Sequence, residues 1–469
     1  MTEQRGRVGR DAVLGALAAL PMLVWLRGFM VDDALVTARY AANLAAGAGH
    51  VMNPGDPVTD GVTPLGWAFV LAPFARGDEP GLRAFEAAKL LGAASWLGGA
   101  ALLGVAIGRL GGAASRYLAL ALVLCSAPLG AWGAAGMETG LVLGLASVAV
   151  WARAVGRERL LVGAVSAAAW LRPELVPWAL SLVLAPEARS KLDEYQVIVR
   201  GLRALTVVGC VATAAALRWF AFGAPLPLSS RAKVPDLVLG ANYAIACFLL
   251  SGAVVALAWR RLAPWVRGVA VSVLVHHVAV AVAGGDWMPL SRLVVPALPG
   301  AVLVAAAALA LARPWFALGR LAIALTGEAF AAARAGPAAA RVGSKRLAVV
   351  HEVGESLRGR TVATVDAGWV GLRAARVVDL AGVTDPAVAA LPGGHTSRAI
   401  PRGFLEARGV DALVLLVAPG QSLGDSLAAT TFARVTERRL VRLPGVEEGY
   451  CVVRESNDPH YVVLLPCAR

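Results

Sequence analysis

Charged residues are scarce in this sequence of 469 residues. They make up 16% of the chain, whereas 58% of the residues are hydrophobic and the mean hydropathy is +0.66. Soluble domains carry about 25% charged residues, so this shortage excludes an ordinary soluble protein. We therefore expect a mainly α-helical, polytopic membrane protein.

Several motifs that would indicate other functions are absent from the sequence. It has no P-loop and no G-x-G-x-x-G, so nothing indicates nucleotide-driven transport or a soluble nucleotide-sugar site. The five cysteines lack metal-ligand spacing. Cys125, Cys210 and Cys247 lie in apolar runs, where a thiol packs as a small hydrophobic group. The sequence leaves open whether Cys451 and Cys467 form a disulfide.

The net charge of +13 has two interpretations. A basic chain could bind nucleic acid, but the Arg residues here stand at the ends of apolar runs, which is the positive-inside pattern of membrane proteins. We therefore predict no nucleic-acid partner. Three Arg precede an apolar stretch at about residues 12–30, which is long enough to span a hydrocarbon core of about 30 Å. We interpret it as a signal anchor with a cytoplasmic N-terminus.

A long segment without spans, at about residues 31–83, follows this first apolar stretch. Six acids against three Arg give it a net charge of −3 in a chain that is basic overall. The shortage of Lys and Arg predicts a loop on the outer side of the membrane. Within this first outer loop we expect two helices along the membrane surface, at about 33–46 and 64–75, the first ending at Gly47.

Further apolar runs bring the expected number of transmembrane helices to about ten or eleven. The sequence does not decide whether the broken run at 160–185 and the weaker run at 315–333 each span the membrane. Placing the Arg-bearing breaks in the cytoplasm puts the segments around Glu138, Arg231 and Asp286 on the outer side. The other runs are 86–108, 113–128, 137–155, 204–221, 238–258, 268–283 and 293–312.

The residue pattern changes at about Ser344, where long apolar runs give way to short ones. Five short β-like runs follow, with helix-like stretches between some of them, and "SNDPH" before the last run is typical of a hairpin turn. This pattern predicts a small soluble α/β domain at 344–469 after a transmembrane domain at 1–343. The runs are "TVATVDAGWVG", "ARVVDLAG", "DALVLLVAP", "YCVVRES" and "YVVLLPC".

Two adjacent carboxylates, Asp32 and Asp33, directly follow the first apolar stretch. One Asp there could cap a helix by accepting hydrogen bonds from free backbone N–H groups. A second Asp is not needed for that purpose. The pair could instead bind a divalent cation (Mg, Mn or Ca) or deprotonate an attacking hydroxyl.

The sequence around this pair resembles a known family. The stretch "DDALVTARYAANLAAGAGHVMNPGDPVTDGVTPLGWAFVLAP" resembles the first outer loop of GT-C membrane glycosyltransferases, most closely the group of mycobacterial terminal arabinofuranosyltransferases. Gly66 interrupts the usual Pro-Leu-Trp of that loop. Four later segments resemble family motifs in the same order: "GMETG", "LRPEL", "GGDWMPLSRLVVPALP" and "VDAGWVGLRAARVVDLAGVTDP". The segment "PLPLSSRAK" keeps the family's Lys, Lys233, but lacks its Asn.

The resemblance implies a GT-C-like fold and a transferase in the bacterial inner membrane with its site facing the periplasm. Such enzymes move a sugar from a polyprenyl-phosphate carrier to an acceptor outside the membrane. Here the sugar would be arabinofuranose or another pentose or hexose, and the acceptor an envelope glycan, lipid or protein. The family assigns the general base to an Asp of the first outer loop. We prefer Asp33, with Asp32 capping, orienting or helping to hold a metal.

Other polar residues are candidates for substrate binding. Arg binds phosphate in a bidentate manner, although each Arg could instead be a membrane-anchoring charge, and Arg172 could simply pair with Glu174. Glu138 and Asp286 could bind acceptor or metal, or make structural hydrogen bonds. The predicted substrate-binding residues are Arg39, Asn53, Thr63, Glu138, Arg172, Glu174, Arg231, Lys233, Asp286 and Arg292.

Histidines are weaker candidates. His276 and His277 point about 100° apart on a helix, so they cannot easily ligate one metal, and we expect them to pack or to make hydrogen bonds. His50 lies in the first outer loop and could touch the substrate. Two other classes of function stay open, namely a transporter or flippase and a non-catalytic envelope-assembly protein. A transporter would need polar residues or broken helices in matching halves of the chain, and we see no internal repeat.

Overall fold

The computed structural model describes residues 2–110, 112–186, 194–232, 236–251, 259–286 and 288–467. The protein is mainly helical (63%), with a small sheet near the C-terminus. It forms two compact units. Unit 1 comprises Met1–Phe29, Ala88–Ala214 and Pro235–Ala340, and unit 2 comprises Met30–Ala87, Ala215–Val234 and Arg341–Arg469.

Five helices in the described part of the chain are long and apolar enough to cross a membrane. A sixth arises if Arg116–Cys125 and Ala127–Gly133, which meet at a bend of 60°, form one broken span. The expectation of a mainly helical chain with apolar helices that could span a membrane is therefore confirmed, whereas the count of ten or eleven spans stays a prediction. The five helices are Gly6–Trp25, Pro80–Gly108, Glu194–Phe222, Pro264–Val282 and Pro314–Leu357.

Several of the runs that the sequence predicts to span the membrane form shorter or interrupted helices. The run at 160–185 is interrupted at Pro173, whose missing N–H breaks the helical ladder. The run at 315–333 belongs to a longer helix, Pro314–Val353. The run at 238–258 begins as a helix, and its end lies outside the described residues. The shorter helices are Ala113–Cys125, Ala127–Gly133, Thr139–Val155, Glu158–Leu171, Val176–Leu184, Leu237–Ser251 and Leu298–Ala310.

Small residues let the helices of unit 1 approach closely. A Cβ atom added to Gly99 would lie 2.7 Å from the Cα of Gly144, and one added to Gly140 would lie 2.6 Å from the Cα of Gly92. Such contacts suit helices in lipid, where close packing rather than the hydrophobic effect drives association. The abundance of glycine therefore has a direct role in the packing of this unit.

Unit 2 contains residues 31–83, the segment that the sequence predicts to be the first outer loop. Its first helix is Asp32–Ala45, and Gly47 follows with a φ of 76°. The second is Trp67–Leu71, continued by the 3-10 helix Ala72–Phe74. Both lie where surface helices were expected. The other helices of the unit are Leu228–Ala232, Ala367–Gly371, Pro386–Ala389, Phe404–Ala407 and Val435–Leu440.

A five-stranded sheet forms the core of the C-terminal part of unit 2. Its order is β2-β1-β3-β5-β4, with β1 parallel to β2 and β3, and with β5 antiparallel to β3 and β4. Each of the five predicted β-like runs contains one of these strands. The strands are β1 (Thr361–Thr364), β2 (Arg376–Asp379), β3 (Ala412–Leu416), β4 (Tyr450–Glu455) and β5 (Tyr461–Pro466).

The hairpin of β4 and β5 is closed covalently. Cys451 in β4 and Cys467 directly after β5 form a disulfide, which settles the question that the sequence leaves open. The predicted domain boundary at 343/344 lies close to Arg341, where the chain enters unit 2 for the last time. The unit, however, also takes in the first outer loop and residues 215–234, because side chains far apart in sequence pair within it.

Candidate functional site

Asp32 is held by three hydrogen-bond donors within unit 2. Its Oδ1 accepts from Nη1 of Arg346 at 2.8 Å and from the backbone N–H of Trp369 at 3.0 Å. Its Oδ2 accepts from the backbone N–H of Gly368 at 2.7 Å. Only 12% of the Asp32 side chain is exposed. Both carboxylate oxygens are therefore engaged by the protein itself.

The sequence "DAG" at residues 366–368 explains how this arrangement forms. The helix Ala367–Gly371 begins directly after Asp366, so its first N–H groups lack partners of their own and point at Asp32. A Cβ atom at Gly368 would collide with the main-chain carbonyl of Asp32 and come within 2.8 Å of its carboxylate. Glycine is therefore the residue that lets the two segments meet.

Asp366 is a second buried carboxylate close to Asp32. Its Oδ2 accepts from the hydroxyl of Tyr461 at 2.5 Å and from Nη2 of Arg434 at 2.6 Å. Burial would raise the pKa of Asp366, but Arg434 and Arg346 outweigh it and hold that pKa below its ordinary value. For Asp32 burial prevails over Arg346 and raises the pKa to about 6, and the charge of Asp366 adds to the rise.

Asp33 directly follows Asp32 and is partly exposed, as Asp32 is. Asp33 lies in the first turn of the helix Asp32–Ala45, where the helix dipole favours a carboxylate. Asp32 does not cap its own helix, since it accepts its hydrogen bonds from the start of another one. The structure thus shows what holds Asp32, and the role of Asp33 as the base stays a prediction. Among the described residues no group of three or more His, Cys, Asp or Glu could hold a metal ion, and the divalent cation stays a prediction.

Arg39 and Asn53 make structural contacts. The guanidinium of Arg39 donates to the carbonyls of residues 52, 371, 374 and 375 and to Oδ1 of Asn53. Asn53 also binds both backbone polar groups of Val377 in β2, accepting at 2.8 Å and donating at 3.0 Å. Both side chains fasten the first outer loop to the C-terminal sheet. Arg39 therefore has no spare N–H for the predicted substrate contact.

Thr63 and His50 likewise contact protein groups. The hydroxyl of Thr63 lies 2.7 Å from that of Ser229, and its carbonyl accepts from Arg218, which also pairs with Asp60. Nδ1 of His50 donates to the carbonyl of Thr59 at 3.0 Å, and its ring stacks on that of Phe69, while its contact with a substrate stays a prediction.

Two predicted phosphate ligands lie partly or wholly outside the described structure. The backbone of Arg231 belongs to the helix Leu228–Ala232, but its side chain is not described. Lys233 lies outside the described residues altogether. Their contact with a phosphate stays a prediction.

Unit 1 contains a buried charge cluster. Nε and Nη2 of Arg172 both lie 2.7 Å from Oε1 of Glu138, and Nη2 also donates to Thr139 at 2.8 Å. Nη1 donates to Glu174 at 3.2 Å, as the sequence had suggested. Only 1% of the Arg172 side chain and 2% of the Glu138 side chain are exposed. The cluster forms where one helix ends and another begins. Arg172 directly follows the helix Glu158–Leu171, and Glu138 directly precedes the helix Thr139–Val155.

The other acid and Arg predicted in unit 1 also pair. Oδ2 of Asp286 lies 3.7 Å from Nε of Arg292, and Nη1 of Arg292 contacts Sδ of Met288 at 2.7 Å. His276 and His277 make hydrogen bonds to backbone carbonyls, as expected for packed histidines.

Several residues of these clusters escaped the sequence analysis. Arg218, Arg346, Arg434 and Tyr461 pair with partners more than 60 residues away, so no local pattern marks them. Their one sequence feature is a charged or hydroxyl side chain inside or beside an apolar run. The chain matches no protein-family model, no curated protein and no solved structure. The likeness to GT-C enzymes therefore depends on the five motifs alone.

Proposed function

We propose that the protein is an integral membrane glycosyltransferase of GT-C type. It would transfer a sugar, arabinofuranose or another pentose or hexose, from a polyprenyl-phosphate carrier to an envelope glycan, lipid or protein. The proposal is supported by the five motifs, by the apolar helices and by the arrangement of the paired carboxylates of the first outer loop.

The observation that carries the proposal is the position of Asp33 directly beside the fixed carboxylate of Asp32. Asp32 is fixed by Arg346 and by two backbone N–H groups at the start of the helix Ala367–Gly371. Asp33, the next residue, is partly exposed in the first turn of a different helix, Asp32–Ala45. A carboxylate in this position can take the proton of an acceptor hydroxyl as its oxygen bonds to the anomeric carbon. The bond from that carbon to the phosphate oxygen breaks, and the carrier leaves as polyprenyl phosphate.

The donor has two parts with different requirements. Its lipid tail needs an apolar environment, which membrane lipids and the spanning helices supply. Its phosphate needs cationic side chains, and Arg offers paired N–H donors. Arg231, Lys233 and Arg292 each stay a separate candidate for this role. Arg172 is the weaker candidate, because two carboxylates and a hydroxyl already surround it.

The disulfide supports an extracytoplasmic position for unit 2. Disulfides persist in oxidising compartments such as the periplasm and are rare in the cytosol. Cys451 and Cys467 would therefore place the C-terminal sheet outside the inner membrane, on the side where a polyprenyl-phosphate sugar is used. The predicted outer position of the acidic first loop agrees with this, since loop and sheet belong to one unit.

The test uses the purified full chain in nanodiscs with radiolabelled polyprenyl-phosphate sugars and crude envelope acceptor. Wild type should transfer label from at least one donor, and Asp33→Asn should lower the rate at least 100-fold because the base is lost. Asp78→Asn, the same change at an exposed residue of the same loop, should leave the rate unchanged. Adding a chelator in parallel tests the divalent cation.

The outcomes separate the components of the proposal. Equal rates for wild type and Asp33→Asn would remove the base from Asp33. No transfer from any donor would contradict the glycosyltransferase itself.

One observation favours a transporter as the second candidate. The helices around Ser126 and Pro173 are broken, and a buried charge cluster lies at Glu138 and Arg172. Broken helices with buried charges also occur where transporters bind substrate. Movement of labelled carrier between leaflets without sugar transfer would favour this candidate over the enzyme.

A further inference from the structure

The large apolar side chains that unit 2 exposes are concentrated in two segments of the chain. Residues 341–469, which contain the sheet, expose only Val452 and Val453 among the residues that the structure describes. The others belong to residues 58–74 of the first outer loop and to residues 217–226. Exposed apolar groups that cluster in this way indicate a surface with an apolar partner.

The second helix of the first outer loop has two different faces. This helix with its 3-10 continuation, residues 67–74, is called here the loop helix. Trp67 and Leu71 are buried in unit 2, with 1% and 0% exposed. The opposite side, called here the apolar face, consists of three exposed apolar side chains. They are Phe69, Val70 and Phe74, which are 56%, 50% and 48% exposed.

The first helix of the loop, Asp32–Ala45, lacks such a face. Its residues 34–41 are all buried within the protein. This helix is therefore a core element of unit 2 and presents no apolar side to a membrane. Of the two helices that the sequence places along the membrane surface, only the loop helix has side chains suited to that position.

The loop helix is packed against the end of a helix that could cross a membrane. Only 17% of the most apolar stretch of this helix, Glu194–Phe222, is buried, and its residues 215–222 belong to unit 2. The ring of His50 stacks on that of Phe69 with centroids 5.7 Å apart, and lies 5.4 Å from the ring of Phe222. Phe69 is therefore one ring away from the last residue of that helix.

A buried ion pair makes a second connection between the two segments. Arg218 pairs with Asp60 and donates to the carbonyl of Thr63, and only 2% of the Arg218 side chain is exposed. The next two residues, Trp219 and Phe220, are 58% and 85% exposed. The apolar outside of the helix thus continues into its last turn, and the loop helix is fastened at that same level.

We propose that the apolar face of the loop helix lies in the interface of the bilayer, at the level where the helix Glu194–Phe222 ends. Helices of this kind bury their apolar side about 5–10 Å into the boundary between headgroups and acyl chains, and aromatic side chains are favoured there. Lipid is the occupant that fits, because the face adjoins a helix whose exposed apolar surface already requires lipid. The inference does not depend on the proposed function, since neither donor nor acceptor enters the argument.

Footprinting of the full chain in nanodiscs gives the first test. Hydroxyl radicals should leave Phe69 and Phe74 largely unoxidised, because lipid covers them. Val453 is the internal control, since it is 42% exposed in β4 of the sheet and should be oxidised. Mass spectrometry of the peptides measures the extent of oxidation at each position.

Labelling from the lipid side gives the second test. Phospholipids with a photoreactive diazirine on the upper acyl chain should label residues 67–74 as well as residues 219–220. They should leave residues 34–41 unlabelled, because that helix is buried in protein. A diazirine at the end of the acyl chain should label residues 67–74 less, by about threefold or more, because the helix lies on the membrane and does not cross it.

A pair of variants tests the contact itself. Val70→Asp should lower the lipid labelling of residues 67–74 by about threefold or more, because an ionised carboxylate is unfavourable among acyl chains. Val453→Asp makes the same change at a valine of similar exposure on the sheet, and should leave this labelling unchanged.

The other outcomes overturn the inference. Oxidation of Phe69 and Phe74 would show that the apolar face meets water. Protection without lipid labelling would show that protein, such as a second copy of the chain, covers it. Equal labelling from both depths of the acyl chain would contradict an interfacial position. Since none of these measurements involves sugar transfer, the inference and the proposed function can fail separately.

Discussion

Asp32 and Glu138 both face an arginine, with 12% and 2% of their side chains exposed, yet the two units stabilise them differently. Asp32 receives two backbone N–H groups besides Arg346. Glu138 has Arg172 on its Oε1, while its Oε2 has no hydrogen-bond partner among the described residues. A charge held by backbone groups keeps partners when one side chain is lost. A charge held by a single side chain loses its partner when that side chain is removed.

The largest expected effect comes from removing each arginine in turn. Arg172→Leu leaves Glu138 and Glu174 without their cation in a buried site, and should lower the free energy of unfolding by about 3–5 kcal/mol. Arg346→Leu should cost less, because two backbone N–H groups still hold Asp32. Denaturation of the purified full-length variants measures both. Equal losses would show that the backbone donors contribute nothing to the difference.

The pH dependence of stability tests the Asp32 site by itself. Burial raises the pKa of Asp32 from 3.8 to about 6, so between these values the folded protein retains a proton that the unfolded chain has released. This contribution to stability is therefore present below about pH 4 and is lost as the pH rises to about 6. The loss amounts to about 2–3 kcal/mol, at 1.36 kcal/mol for each unit of pKa.

Denaturation profiles between pH 4 and 7 check this expectation. Asp32→Asn should flatten the decline, since it removes the titrating group. Asp379→Asn should flatten it similarly, because burial also raises the pKa of Asp379 to about 6. A profile for Asp32→Asn that runs parallel to that of wild type would contradict the assignment. Asp366 acts in the opposite direction, since its lowered pKa makes the fold less stable in acid.

The smallest of these effects concerns the close approach at Gly368. Gly368→Ala should cost about 1–3 kcal/mol, because the added methyl group overlaps the backbone of Asp32 and must push the segments apart. Gly209→Ala is the matched control, since a Cβ there meets nothing within 4 Å and alanine favours the helix. Thermal melting should show a loss for the first variant and no loss for the second.

Local patterns were sufficient to predict the C-terminal sheet. All five strands lie in runs of alternating or β-branched residues bounded by turn residues, and the β4–β5 hairpin turns within the predicted "SNDPH". The break at Pro173 was expected, since the sequence already divides the run at 160–185, whereas the bend at Ser126 lies inside the run predicted at 113–128. Apolar runs on both sides of a bend have the same composition as one continuous span, so hydropathy alone does not reveal the bend.

The sequence revealed the candidate site residues but not their contacts. The pair Asp32–Asp33 is visible in the sequence, but what distinguishes its two members comes from Arg346 and Gly368, more than 300 residues away. Arg39 and Asn53 belong to the family-like motif and were therefore expected to bind substrate. Their partners are backbone groups of the C-terminal part of unit 2, which a local pattern cannot reveal.

Asn53 affects whether the sheet can pair with a strand from another copy of the protein. β2 is an edge strand, and an edge strand exposes backbone groups that can pair with a strand from another chain. The Asn53 amide occupies both polar groups of Val377, as a neighbouring strand would. The first outer loop thus closes this edge at its centre, and the sheet cannot extend there into an aggregate while the loop stays in place.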